Sequence, residues 1–132
     1  VDLDTEAFNA MMAAYRLPKR TEKETQDRHT AVQEAARQAM EVPLRVMQQA
    51  SASMPLLQAM AETGNPASVS DAGVGALCAR AAVRGAHLNV KINSSELEDR
   101  NLADDLLAQA GHIDDESRAL EAKILEVVED KL

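Results

Sequence analysis

The sequence predicts an all-α protein, a bundle of long, proline-bent helices, and three observations carry that expectation. Apolar residues recur in steps of three and four along most of the chain, which is the period of a helix with one buried side. The apolar residues are also of the wrong kind for a sheet: aromatics make up 2% of 132 residues, with no Trp, while Met occurs six times. Ala and Met favour helix, whereas strands draw on aromatic and β-branched side chains. Finally, five Gly and four Pro leave few places for connections, so the helices must be long. With 45% hydrophobic residues, the whole of 1–132 is expected to form a single helical domain. At this length a chain buries about two thirds of its unfolded surface.

The first helix carries Leu3, Ala7, Ala10, Met11 and Ala14 on one side. It should stop at Leu17, because a residue before proline is pushed out of the α region. Thr21 and Glu24 then have capping-box spacing and open a second helix. Its apolar positions are Val32, Ala36, Ala39, Pro43, Val46, Ala50, Met54, Leu57 and Ala61. Each internal proline removes one backbone hydrogen bond, so a bend is expected at Pro43 and a bend or fresh start at Pro55. Thr63-Gly64-Asn65-Pro66 ends this helix, with Gly64 suited to a left-handed cap.

Ser68 or Ser70 caps a third helix, with Val74, Leu77, Cys78, Ala81, Gly85, Leu88 and Ile92 as its apolar stripe. Gly73, Gly75 and Gly85 weaken a helix unless something packs closely there, which makes this helix central. Asn93-Ser94-Ser95 breaks it. A fourth helix follows from about Glu98 to Lys131, with Leu102, Leu106, Ala110, Ile113, Leu120, Ile124 and Val127 as its stripe. Gly111 and Asp114-Asp115-Glu116 mark a weak point within it. These stripes are longer than so small a domain can cover, so a homodimer or higher homo-oligomer is expected.

Composition excludes several functions. A formal charge of −8 argues against nucleic acid, whose phosphates need a basic face. No run of about eighteen apolar residues exists, so no membrane span is expected. Cys78 is the only cysteine; an internal disulfide is ruled out, and a reducing, cytoplasmic location is expected. On its apolar stripe Cys78 reads as inert core. His29, His87 and His112 are scattered without zinc-ligand spacing, and His112 with Asp115 or Glu116 reads as a surface pair. No metal site, Gly-rich phosphate loop or nucleophile elbow is present.

Candidate chemistry begins at Asp4 and Phe8, four apart and so on one helical face. A carboxylate beside a large apolar ring is partly desolvated, which disfavours its charged form and suits it to exchange protons near neutral pH. The alternative is a carboxylate serving only the helix start. Arg16, Lys19 and Arg20 put three cations into the following turn, suited to an anionic substrate or simply solvated. Asn89 and Asn93, also four apart, either face solvent near a helix end or line a polar crevice as hydrogen-bonding groups for a heterocycle. Asn65 and Asp71 carry the same ambiguity between capping and binding.

In chain order the sequence shows Asp4-x-x-Ala7-Phe8, Leu17-Pro18-Lys19, Thr21-Glu22 with Arg28, and Val42-Pro43-Leu44. Gly64-Asn65 with Ser70-Asp71 and then Asn89-Val90-x-Ile92-Asn93 follow. This succession resembles the family of formimidoyltetrahydrofolate cyclodeaminases and methenyltetrahydrofolate cyclohydrolases, which includes the cyclodeaminase half of formimidoyltransferase-cyclodeaminase. The resemblance spans essentially the whole chain. It implies an all-α, dimeric, metal-free protein with a tetrahydrofolate derivative as substrate in a crevice among the helices, and it puts Asp4 on the family's catalytic aspartate. Phe8, Asn65, Asp71, Asn89 and Asn93 are then candidate substrate-binding residues. Lys19 and Arg20 would hold the folate's glutamate tail, polyglutamylated or not. Family members begin with further helices and a Pro-Gly-Gly-Gly-Ser-like segment, whereas this chain starts just ahead of Asp4. It is therefore expected to be the C-terminal two thirds or so of such a domain. Ammonia release from the formimidoyl substrate and hydrolysis of the methenyl bridge fit the residues equally. The alternative from another class is a catalytically inactive helical assembly module derived from the family.

Overall fold

A computed structural model describes residues 2–132, the side chain of Asp2 excepted; Val1 lies outside the described residues. Four helices follow one another: α1 (Asp2–Arg16), α2 (Glu22–Thr63), α3 (Val69–Asn93) and α4 (Arg100–Glu129). Short 3₁₀ turns at Pro66–Ser68 and Ser94–Glu96 precede and follow α3. The all-α expectation holds: no strand occurs among the described residues.

Local chemistry sets the boundaries. Thr21 and Glu24 form the expected capping box, the Thr21 hydroxyl accepting from the Glu24 amide and the Glu24 carboxylate from the Thr21 amide. The Asp99 side chain accepts from the Leu102 amide and opens α4. Asn65 caps the first 3₁₀ turn by accepting from the Ala67 amide. Ser68 occupies the cap position of α3 but makes no side-chain cap bond.

The helix α2 is the spine. Along it lies α3, α4 packs against both, and α1 packs on α2. Met40, Leu44 and Met47 meet Val83, Val90 and Leu106 in one core; Met54 and Ala61 meet Ala72, Ala76 and Ile124 in a second. α3 packs against both α2 and α4, and close packing holds at two of the three glycines on which its central place was expected, whereas nothing would lie within 4 Å of a Cβ at Gly85. A Cβ at Gly73 would stand 3.3 Å from Val128 Cγ1, and one at Gly75 would stand 2.7 Å from Leu57 Cδ2.

Several local expectations are overturned. Of the two outcomes expected at Pro55, a bend or a fresh start, the fresh start is excluded, since α2 runs unbroken through Pro43 and Pro55. Gly64 is not left-handed: its φ is −74°, and no described residue has positive φ. Its need for glycine is instead close approach, since a Cβ there would collide with the carbonyl of Met60. Gly111 and Asp114-Asp115-Glu116 do not interrupt α4, which is continuous from Arg100 to Glu129.

The stripe assigned to α3 is on the wrong face. Val74, Leu77, Leu88 and Ile92 are exposed, Ile92 at 72%, and Cys78 is exposed rather than core. The buried face is Val69, Ala72, Gly73, Ala76, Ala79, Val83, Ala86, His87 and Val90. The reason is size: small residues let α3 approach α2 and α4 closely, so the bulkier apolar residues are left outside. Val46 on α2 is likewise exposed, its place in the core taken by Met40, Leu44 and Met47.

Candidate active-site crevice

Asp4, Phe8, Met11 and Tyr15 share one side of α1 at helical spacing. Opposite it stand the C-terminal end of α3, with Asn89 and Asn93, and the 3₁₀ turn that carries Glu96. Between these walls runs a crevice of about 400 Å³, lined by Asp4, Ala7, Phe8, Met11, Met12, Tyr15, Ala39, Asn89, Asn93 and Glu96. Four candidates from distant parts of the chain thus meet: Asp4, Phe8, Asn89 and Asn93. The asparagines therefore face a crevice, not merely a helix end. A separate groove of about 380 Å³ on the other side of α1 is walled mainly by Ala10, Ala13, Ala14, Leu17, Ala31 and Ala35 and offers little polar chemistry.

Each wall is held by named contacts. The Asn93 amide donates to the Ala39 carbonyl at 2.8 Å. The Tyr15 hydroxyl donates to Glu96 Oε2 at 2.8 Å. That carboxylate bond, with partial burial and the charge of Glu96, pushes the phenol above its usual range. The Glu96 backbone is fastened in turn, because Gln33 donates to its carbonyl and accepts from the amide of Glu98. His29 Nε2 lies 2.8 Å from Glu98. From α2, Arg28 reaches back to donate twice to the Tyr15 carbonyl at the end of α1, with its guanidinium 5.9 Å from the centre of the Tyr15 ring.

One expectation about the site's chemistry fails. Asp4 is exposed and Phe8 is 63% exposed, so the ring does not shield the carboxylate from water in the unliganded crevice. The other candidates lie elsewhere. Lys19 and Arg20 are exposed in the turn between α1 and α2 and do not line the crevice. The Arg20 amide is occupied in donating to the Glu24 carboxylate. Asn65 and Asp71 sit at the far end of α3, Asn65 as a cap and Asp71 exposed in the first turn. Eighteen helical residues, about 27 Å of rise, separate Asp71 from Asn89.

Sequence reasoning missed Tyr15 and Glu96 in the crevice, and a buried ionic cluster outside it. Asp114 on α4, 3% exposed, accepts from Arg80 at 2.6 Å and from Arg84 at 3.1 Å, with His87 Nδ1 at 3.4 Å. Burial works to raise the Asp114 carboxyl, but the Arg80 hydrogen bond and the charges of Arg80, His87 and Arg84 outweigh it and hold it below the usual range. Burial, helped by Lys91 and Arg84, pushes His87 below the usual imidazole range against the pull of Asp114. The available signal was Arg80, Arg84 and His87 at four- and three-residue spacing on one face of α3. Among the described residues no group of three or more His, Cys, Asp or Glu is arranged to hold a metal ion. His112 and Glu116 form the expected exposed pair, 3.2 Å apart.

Comparison with known proteins agrees with this architecture. The family model for formiminotransferase-cyclodeaminase matches residues 1–112. Methenyltetrahydrofolate cyclohydrolase of Methylorubrum extorquens is 40% identical over 129 residues, covering 98% of this chain and 62% of that protein. Formimidoyltransferase-cyclodeaminase of Rattus norvegicus is 41% identical over 99 residues, covering 75% of this chain and 18% of that one. The crystal structure of formiminotetrahydrofolate cyclodeaminase from Thermotoga maritima superposes with a TM-score of 0.82 at 26% identity, covering 98% of this chain and 62% of the other. The chain thus spans less than two thirds of the length of these relatives. Matched by the family model along most of its length and by the cyclohydrolase at 40% identity, the chain belongs to the formiminotransferase-cyclodeaminase family.

Proposed function

We propose that this chain is the larger part of a folate-handling domain of one-carbon metabolism. Its reaction is either closure of 5-formimidoyltetrahydrofolate to 5,10-methenyltetrahydrofolate with release of ammonia, or hydrolysis of the methenyl bridge. The observation that carries the proposal is the crevice itself: it gathers Asp4 and Phe8 of α1 with Asn89 and Asn93 of α3 in a chain 40% identical to a methenyltetrahydrofolate cyclohydrolase. Asp4 is the proton shuttle, protonating the departing amine in one reaction or serving the attacking water in the other. Asp4 and Phe8 are both exposed, so the substrate's own ring, laid against Phe8, must exclude water from the carboxylate. Asn89 and Asn93 match the donor and acceptor edges of the pterin. Lys19 and Arg20, exposed beyond Tyr15, attract the glutamate tail, which otherwise meets a protein of formal charge −8.

A homodimer or larger homo-oligomer in the cytoplasm completes the reading. The exposed row Val74, Leu77, Leu88 and Ile92 on α3 supports it, being apolar surface that one copy leaves in water. Asn65 and Asp71 would join the substrate set only through a second copy whose far end meets this crevice. The test is direct: the chain is mixed with each folate and the methenyl absorbance is followed. Absorbance gained from the formimidoyl compound identifies the deaminase, and absorbance lost from the methenyl compound identifies the hydrolase. Absence of both turnover and binding would overturn the proposal. Sedimentation as a monomer at micromolar concentration would remove the oligomer from it.

A further inference from the structure

We infer that Glu96, steadied by Tyr15, recognises the donor edge of the pterin, its 2-amino group and adjacent ring N–H; the inference rests on the folate reading of the crevice. Charge decides which end of a folate enters. The lining contains two carboxylates, Asp4 and Glu96, and no Lys or Arg. A glutamate tail is repelled there, whereas a ring edge presenting two N–H groups side by side is attracted. A carboxylate is the acceptor that such an edge fits, each oxygen taking one N–H in a parallel pair.

Of the two carboxylates, Glu96 is the one built to bind rather than to react. Its Oε2 accepts from the Tyr15 hydroxyl, and its backbone is pinned to α2 by Gln33. An ionised carboxyl has about four lone-pair positions, so the Tyr15 bond leaves both oxygens able to accept. Asn93 adds an acceptor: one of its two N–H groups is given to the Ala39 carbonyl, which leaves its oxygen and its second N–H for a ligand. Eleven residues of α1, about 16 Å of helix rise, separate Asp4 from Tyr15. The two carboxylates thus stand toward opposite ends of the crevice wall. A bicyclic ring anchored at Glu96 lies along Met11, Met12 and Phe8 and directs its one-carbon bridge toward Asp4.

The test compares binding of methenyltetrahydrofolate with that of its analogue lacking the 2-amino group, for the unaltered chain, Glu96→Gln and Tyr15→Phe. The unaltered chain should prefer the 2-amino compound by about tenfold or more, the range expected for a charge-assisted hydrogen bond. Glu96→Gln, with helicity and melting temperature unchanged, should bind the 2-amino compound about ten- to a hundredfold more weakly and prefer it by less than about threefold. Tyr15→Phe should show an intermediate preference. An undiminished preference in Glu96→Gln overturns this inference while leaving the folate reading standing. Absence of folate binding by the unaltered chain overturns both.

Discussion

The side-chain amide of Asn93 donates to the carbonyl of Ala39 at 2.8 Å. That carbonyl would ordinarily accept from the residue four places on, but here the residue is Pro43, which has no N–H. A side chain of α3 therefore supplies the bond that the proline removes from α2, and in doing so it fixes one wall of the crevice. Asn93→Ala should leave a partly buried carbonyl unpaired and cost about 1–3 kcal/mol in urea unfolding. In a Pro43→Ala background the backbone supplies its own donor, and the same substitution should cost under about 1 kcal/mol. Equal costs in the two backgrounds would mean that Asn93 does not stabilise the protein through Ala39.

Arg80 and Asp114 form a largely buried ion pair, their side chains 13% and 4% exposed. Removing one charge of such a pair strands the other, which costs more than the pair contributes net. Asp114→Asn should therefore destabilise the chain by about 3–5 kcal/mol. It touches nothing in the crevice, so folate affinity measured on the folded fraction should hold. Unfolding within about 1 kcal/mol of the parent would show that water reaches this cluster in solution.

His87 makes the same cluster sensitive to pH. Arg84 and Lys91 on its own helix and Asp114 on α4 face the ring, and burial tips the balance towards the neutral form. The unfolded chain therefore takes up a proton that the folded chain refuses. Stability should be full above the unfolded imidazole value of about 6.5 and fall as pH drops through it. The contribution of Asp114, whose carboxyl is depressed, persists above about pH 4 and is lost only below it. Urea midpoints at pH 7.5 and 5.5 should differ in the parent and converge in His87→Gln. A slope that survives in the variant would assign the effect to other groups.

The ends of α1 and α2 were legible because local chemistry sets them: Pro18 stops one and the Thr21–Glu24 box starts the other. The inner face of α3 was not legible. Hydropathy ranks Val74, Leu77, Leu88 and Ile92 above Ala72, Ala76 and Ala79, yet close packing against α2 and α4 selects the small residues. Asp114 read as a flaw in a helix because its partners lie on another helix, Arg80 being 34 positions away. Within the crevice, the pairings of Asp4 with Phe8 and of Asn89 with Asn93 follow from four-residue spacing. That these two faces meet does not, nor does the bond from Tyr15 to Glu96 across 81 positions. Spacing reports which residues share a face; only tertiary packing reports which faces oppose.

Asp4 bears the most specific prediction. Asp4→Asn keeps the size and most of the hydrogen bonding of the side chain but cannot exchange a proton. If Asp4 shuttles the proton, kcat should fall by ~10²–10⁴-fold while substrate affinity changes little, since the lost interaction acts in the transition state. If Asp4 serves only the start of α1, asparagine is an equally good residue there, stability should shift by well under about 1 kcal/mol, and activity should persist. Because the carboxylate is exposed, water must leave it when substrate enters. Phe8→Ala, which removes the ring without touching the acid, should therefore also lower kcat, by a smaller factor. Lys19→Ala is the control for the tail: it should weaken binding of polyglutamylated folate more than it slows turnover, and more so at low salt, where exposed charges are least screened. Turnover by Asp4→Asn within a few-fold of the parent would take Asp4 out of the mechanism and leave it as a helix-start carboxylate.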